Sequence, residues 1–320
     1  MNQRISDLGE RGLIRRLRGK FPCLCGIGDD SAVLPGIQCP VVTTDSFFEG
    51  THFHRWWAQP RILGRRLLEA ALSDIAAMGA RAEWFFTALS INPSIEVDWI
   101  EGFYRGLTER EDVTLAGGET VRGERLGITI TVIGEGEERD TLLRRSSLRP
   151  GDNLWISGLL GRALGAPEKL EKVGGLLGED LKPCSCLLSS EELEQLRAFL
   201  QPRAELELGI KLRKMGVRCA IDISDGLFSE AEHLSLESGV NTVLEIDETI
   251  FFDSVKDKPL TASAAGEDYV LLFGAPVELD FSSVGCLKIG RAETGNGEVT
   301  VFLKGERVSI GAIGYDHMEV

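Results

Sequence analysis

Strand-like and helix-like signals alternate along both halves of this 320-residue chain, and the alternation predicts an α/β (α+β) fold in two domains. Short runs rich in β-branched residues, clearest in Gly127–Ile133 (GITITVI), are separated by longer segments with apolar residues at steps of three or four. The length is enough for two domains that each bury a core. A turn sequence, Arg149-Pro150-Gly151-Asp152, interrupts the pattern and places the boundary near residues 145–150, with no long flexible linker. The expected units are residues 1–148 and 149–320.

The elements follow in order. The first twenty residues read as a basic amphipathic helix with Ile5, Leu8, Leu13 and Leu17 as its apolar positions. Ser31–Leu34 and Val41–Thr44 are short β-type runs. Gln59–Ala80 reads as a helix, with Pro60 near its start and Gly79 near its end. Phe85–Ile91 reads as a strand, Val97–Glu109 as a helix and Gly127–Ile133 as a strand. The second unit opens with a strand at Asn153–Ser157. Glu168–Ser190 is rich in Gly, Lys and Glu and reads as an irregular loop or weak helix. Helices follow at Glu191–Leu200 and Ser229–Glu237. Strands are expected at Ala220–Ile223, Val243–Ile246, Tyr269–Phe273 and Thr300–Leu303.

Composition narrows the function. The chain has 35 Lys+Arg against 50 Asp+Glu, a net charge of −15, which argues against a nucleic-acid binder because phosphate backbones need a basic footprint. The longest stretch without a charged residue, Ser31–Thr44, contains Pro35 and Pro40 and is too short to cross a bilayer. The N-terminus has no apolar signal core, so the expected address is the cytoplasm, with no membrane partner. Seven cysteines, at 23, 25, 39, 184, 186, 219 and 286, are an odd set without metal-type C-x-x-C spacing, and they read as ordinary thiols.

The acidic residues are not all surface charge. Several are carboxylates flanked by Gly, Ser or Thr at element ends: Gly28-Asp29-Asp30, Thr43-Thr44-Asp45, Ser73-Asp74, Gly117-Gly118-Glu119-Thr120, Asp222-Ile223-Ser224-Asp225-Gly226 and Gly266-Glu267-Asp268. Short carboxylates suit hard cations, and glycine lets backbone approach a phosphate. Each segment alone is also an ordinary turn former. Asp74 adds an independent argument. It falls on the apolar stripe Leu63, Leu67, Ala70, Met78 of the expected helix. A carboxylate there needs a cation or a partner, either a metal or an arginine such as Arg65. No P-loop, G-x-G-x-x-G, H-E-x-x-H or nucleophile elbow is present.

Taken together and in order, GIGDDSAVL, TTDSFFEGTHF, LSDIAAMGA, GGET, RRSSLRPGD, IDISDGL, GEDYVLLF and the terminal GYDH resemble the thiamine-monophosphate kinases, over residues 26–317. The wider superfamily includes aminoimidazole ribonucleotide synthetase, selenophosphate synthetase and a hydrogenase maturation factor. The resemblance implies two α/β domains of the aminoimidazole ribonucleotide synthetase-like fold, with N-terminal sheets pairing in a homodimer. It implies ATP and several magnesium ions in an acidic cleft, and transfer of a phosphoryl group to thiamine monophosphate. By resemblance, Asp30, Thr43, Thr44, Asp45, Asp74, Glu119, Asp222 and Asp225 take magnesium positions. Tyr104, Gly118, Glu119, Arg145 and Ser224 take nucleotide positions, and His52, Glu267 and Tyr315 hold the substrate. Asp30, Asp74, Asp225 and Arg145 are the expected catalytic set. One departure stands out: the family usually reads Gly-Gly-Asp-Thr where this chain has Glu119, one methylene longer. The alternatives are another superfamily synthetase, of the selenophosphate or aminoimidazole ribonucleotide type, or a catalytically silent ATP- and metal-binding homologue.

Overall fold

The computed structural model describes residues 32–33, 39–92, 94–178, 181–183, 188–311 and 314. The expected N-terminal helix, the Asp29-Asp30 pair, both C-x-C pairs, Tyr315 and His317 lie outside the described residues.

Two mixed sheets organise the chain. The first comprises β1 (Ala32–Val33), β2 (Pro40–Phe48), β3 (Arg81–Ile91), β4 (Thr114–Arg122) and β5 (Gly127–Glu135), in the order β1-β2-β5-β3-β4. All its pairings are antiparallel except β3 with β4. The second comprises β6 (Asn153–Ile156), β9 (Cys219–Asp222), β10 (Val240–Ile246), β11 (Leu271–Ala275), β12 (Leu287–Thr294), β13 (Val299–Leu303) and β14 (Glu306–Val308), in the order β14-β13-β10-β12-β6-β11-β9. A small pair, β7 (Leu176–Leu177) with β8 (Lys182–Pro183), stands apart.

The helices are α1 (Pro60–Ala77), α2 (Val97–Leu107), α3 (Ala166–Val173), α4 (Ser190–Leu200), α5 (Leu206–Lys214), α6 (Leu227–Ser238) and α7 (Pro259–Ala264). Helix α1 starts at proline, whose missing N–H is free of cost in a first turn. It is buried almost all round rather than along one stripe. It packs on the first sheet, on α2 and α5, and on β9 of the second sheet, so one helix serves both halves. Glycines permit the closeness: a Cβ on Gly64 would stand 2.1 Å from the Phe103 carbonyl oxygen, and one on Gly106 1.9 Å from that of Arg61. The large core therefore runs on from Leu63 and Phe85 to Phe199, Leu212 and Phe273. A second core lies across the outer part of the larger sheet, around Phe228, Leu244 and Ile289.

Several stretches differ from expectation. Within 168–190 the chain forms α3, bounded by Gly165 and Gly174, both with left-handed backbone (φ 68° and 72°), and then the β7–β8 pair. Two glycines can start and stop a helix too short to show periodicity. Strands β4, β12 and β14 and helices α5 and α7 are not among the expected elements. In β4 the glycines of TLAGGETVR hide the alternation, and the strand is exposed along most of its length.

Candidate active site

A cavity of about 510 Å³ opens between the two halves. Strand β2 and the turn after it supply Asp45, Phe47 and His52, and α1 supplies Asp74. The β9–α6 loop supplies Asp222, Ser224 and Asp225, and the loop before β11 supplies Glu267 and Tyr269. Seven of the residues singled out from sequence therefore line one space, although they come from four separate parts of the chain. Alternation in β2 sorts its motif. Thr43 is buried toward α1 and its hydroxyl donates to Asp74 Oδ2, whereas Thr44 faces the opposite side with its hydroxyl 2.9 Å from that of Thr131.

Asp74 is half-buried at the cavity wall, on the turn of α1 nearest β2. Arg65, the alternative partner, points elsewhere, 3.6 Å from Glu109 and 3.9 Å from Glu69. His52 is held by Phe48, whose backbone N–H donates to Nδ1 at 3.0 Å. In a neutral ring that bond leaves the proton on Nε2, a donor. Its ring stands edge-on to Phe47 at 5.9 Å.

The two acidic loops of the second half are backed against each other. Tyr269 N donates to Ile223 O at 2.8 Å and Glu267 N to Ser224 O at 2.6 Å. A Cβ on Gly266 would lie 2.1 Å from the Ser224 carbonyl oxygen, so only glycine allows this approach. Glu267 and Tyr269 both carry left-handed backbone, φ 62° and 52°. Each costs on the order of 1 kcal/mol or more, and such strain concentrates at functional sites. Between them Asp268 is fully buried. It accepts from the N–H groups of Gly161 and Arg162 at 2.9 Å and lies 3.8 Å from the Arg162 guanidinium. Burial pushes its carboxyl up to about 7, against the opposing pull of Arg162.

Two residues of the site were not foreseen. Glu230, on the first turn of α6, is 2% exposed and accepts the Asp225 N–H at 3.1 Å. Burial first, then the neighbouring Asp225, hold its carboxyl well above the usual range; Arg145 opposes and Asp222 adds to the rise. The stripe argument used for Asp74 applies equally here, since Leu227, Glu230, Ala231 and Leu234 share one face. Arg66, in α1, is fully buried and donates to Glu267 Oε1 at 2.9 Å. No sequence signal separates it from its neighbour Arg65.

Tyr104, Gly118 and Glu119 do not line the cavity. The Tyr104 hydroxyl is 3.2 Å from that of Thr87 on β3, and Gly118 pairs with Thr87 across the strands. Glu119 is exposed on edge strand β4 and accepts the N–H of Thr120 at 3.0 Å. Arg145, half-buried before β6, faces the Asp222–Asp225–Glu230 group through its charge.

No three His, Cys, Asp or Glu side chains among the described residues lie close enough to hold one ion by themselves. Asp45, Asp74, Asp222 and Asp225 instead line a shared space. That donor set fits magnesium, which takes one or two carboxylates per ion and completes its shell with water and substrate phosphates.

The comparisons agree with this architecture. Residues 28–136 match the family model described as AIR synthase related protein, N-terminal domain. The thiamine-monophosphate kinase of Aquifex aeolicus is 31% identical over 321 residues, covering 95% of this chain and 97% of that protein. That of Haemophilus influenzae is 31% identical, covering 92% and 91%. A solved structure described as AaThiL complexed with AMPPCP and TMP matches with a TM-score of 0.85 at 29% identity, 99% of each chain being covered.

Proposed function

The chain belongs to the thiamine-monophosphate kinase family, and from that premise we propose how its cavity transfers the terminal phosphoryl group of ATP to thiamine monophosphate, giving ADP and thiamine diphosphate. The observation that carries the reading is the convergence of Asp45, Asp74, Asp222 and Asp225, from both halves, on one cavity that also presents His52 and Glu267.

The acceptor oxygen belongs to a phosphate already largely ionised near neutral pH, so it needs no general base. The difficulty is repulsion between two anions that must meet in line. Carboxylates cannot approach those anions unaided. Held by these carboxylates, magnesium would supply the positive charge that offsets the negative charge of the phosphates during transfer. The proposed ligands are Asp30, Thr43, Asp45, Asp74, Asp222 and Asp225, with Glu119; the Thr44 hydroxyl, turned to Thr131 on the other face of the sheet, is not among them. Arg145 and Ser224 serve the nucleotide. His52, with its donor Nε2–H, and Glu267 serve the acceptor, together with Tyr315.

Residues 1–148 and 149–320 form the two functional units in this reading, with the shared core holding the cleft between them at fixed width. Dimerisation uses the outer face of the first sheet, where Phe48, Trp84, Phe86 and Val121 are 45%, 48%, 39% and 52% exposed. Several large exposed apolar side chains on one sheet face are unusual unless another surface covers them. Glu119 sits on β4, separated from Asp45 of β2 by β5 and β3, three strand spacings or about 14 Å. We therefore infer that Gly118, Glu119 and Tyr104 serve the cavity of the partner protomer. A cytoplasmic address belongs to the same reading. No described helix is long and apolar enough to cross a membrane.

The test is ADP release and product analysis with ATP and thiamine monophosphate, with and without magnesium. Magnesium-dependent formation of thiamine diphosphate is expected. ATP binding by calorimetry without ADP formation would identify a silent homologue, and turnover only with a different acceptor would identify another synthetase of the superfamily.

A further inference from the structure

Arg66 is 1% exposed, in the interior of α1. Its guanidinium is shared between two other segments. One nitrogen donates to the Phe199 carbonyl near the end of α4, and Nη2 donates to Glu267 Oε1 at 2.9 Å. The guanidinium carbon lies 4.0 Å from the centroid of the Phe199 ring. Its Nε has no acceptor among the described residues. Burying a guanidinium is costly, and an apolar residue would fill the same volume at less cost. What arginine adds is a rigid fork that fixes the direction of a carboxylate.

Glu267 needs such fixing. Its backbone is left-handed, and its side chain is 32% exposed at the cavity wall. A carboxylate has about four acceptor sites, so one bond from Arg66 orients the group without exhausting it. Arg66 and Asp74 are eight residues apart on α1, about 12 Å along the axis. One rigid helix therefore sets both the carboxylate at the phosphate end of the cavity and, through Glu267, the group facing the acceptor.

We propose that Arg66 is a positioning residue for the thiamine monophosphate subsite, acting through Glu267 and tying its placement to the helix that carries Asp74. The proposal rests on the reading that Glu267 holds the acceptor. Thiamine monophosphate has a cationic thiazolium ring, to which an oriented carboxylate is a complementary neighbour.

Steady-state kinetics of Arg66→Lys, Glu267→Gln and the double variant test it, with KM measured for both substrates. Lysine keeps the charge but loses the fork and the flat stacking face, so KM for thiamine monophosphate should rise about tenfold while KM for ATP stays within about twofold. The double variant should be no worse than Glu267→Gln alone, because both substitutions remove one interaction. Equal rises in both KM values, or effects that multiply in the double variant, would mean a merely structural role and overturn the proposal. A raised KM in Glu267→Gln with an unaffected Arg66→Lys overturns the proposal alone. An unaffected Glu267→Gln overturns the assignment of Glu267, and the proposal with it. Should Arg66→Lys fail to fold, Phe199→Leu removes the aromatic plate under the guanidinium. It should raise KM for thiamine monophosphate about threefold with KM for ATP unchanged. Shifts in both constants, or in neither, count against the proposal.

Discussion

The backbone N–H of Asp225 donates to Oε1 of Glu230 at 3.1 Å, so a carboxyl buried in α6 holds the loop that presents Asp222, Ser224 and Asp225 to the cavity. Glu230 is thus both a loop clamp and a third acidic group behind two others, and its raised pKa reflects burial first and Asp225 second. An acid whose folded pKa is raised costs stability as pH climbs above its unfolded value.

Glu230→Gln keeps an acceptor for the Asp225 amide and removes the titrating group. In the absence of magnesium at pH 8 it should raise stability by about 1 kcal/mol, read from the urea midpoint. Glu230→Ala should instead lower it by about 1–3 kcal/mol, because the amide loses its partner. A lower midpoint for the glutamine variant would show that the carboxyl itself is needed.

Asp268 gives a pH signature. Its folded pKa of about 7 lies above the ordinary 3.8, so the folded state holds this proton more tightly than the unfolded one. The resulting stability is complete below about pH 4 and is lost as pH rises to about 7. Asp268→Asn removes the titration. Between pH 5.5 and pH 8 the wild-type protein should lose about 2 kcal/mol more than the variant, measured by urea denaturation at each pH. Parallel profiles would place the proton elsewhere.

Asp74→Asn should reduce turnover at least a hundredfold while leaving the circular dichroism spectrum unchanged, because asparagine still accepts from Thr43 but no longer binds a cation strongly. Normal turnover would remove Asp74 from the metal set.

If Glu119 serves the partner's cavity, defects at Asp74 and Glu119 should complement. Each variant alone is inactive or nearly so. Mixing and reassociating Asp74→Asn with Glu119→Ala makes heterodimers with one intact site, returning activity to about a quarter of wild type. No recovery would mean that Glu119 acts within its own protomer.

Trp84→Glu places a charge in the exposed aromatic patch of the first sheet. Sedimentation should then show monomer, against the dimer proposed for the wild-type chain, since a buried unpaired carboxylate opposes association. An unchanged dimer would move the interface to another face.

The site was partly legible because small-residue acidic motifs and periodicity are local properties. Asp74 announced itself by standing on an apolar stripe, and Glu230 carries the same signal on α6. Arg66 carries none: its neighbour Arg65 has the same chemistry, and only the direction of each side chain from α1 sends one to Glu267 and the other to Glu109 and Glu69. Strand β4 was hidden for a related reason, since its glycines have no side chains to alternate and its identity depends on pairing with β3.

By itself the sequence determined the alternating α/β class, the acidic motifs and the family they resemble, because propensity, periodicity and motif order are written within short stretches. The tertiary structure decided which of those carboxylates meet. It brought Asp45 and Asp74 to Asp222 and Asp225 through a helix buried against both sheets, sent Thr44 and Glu119 to another face, and set Arg66 behind Glu267. Those outcomes depend on contacts between residues far apart in the chain, and burial makes such contacts specific only once the core has closed around them.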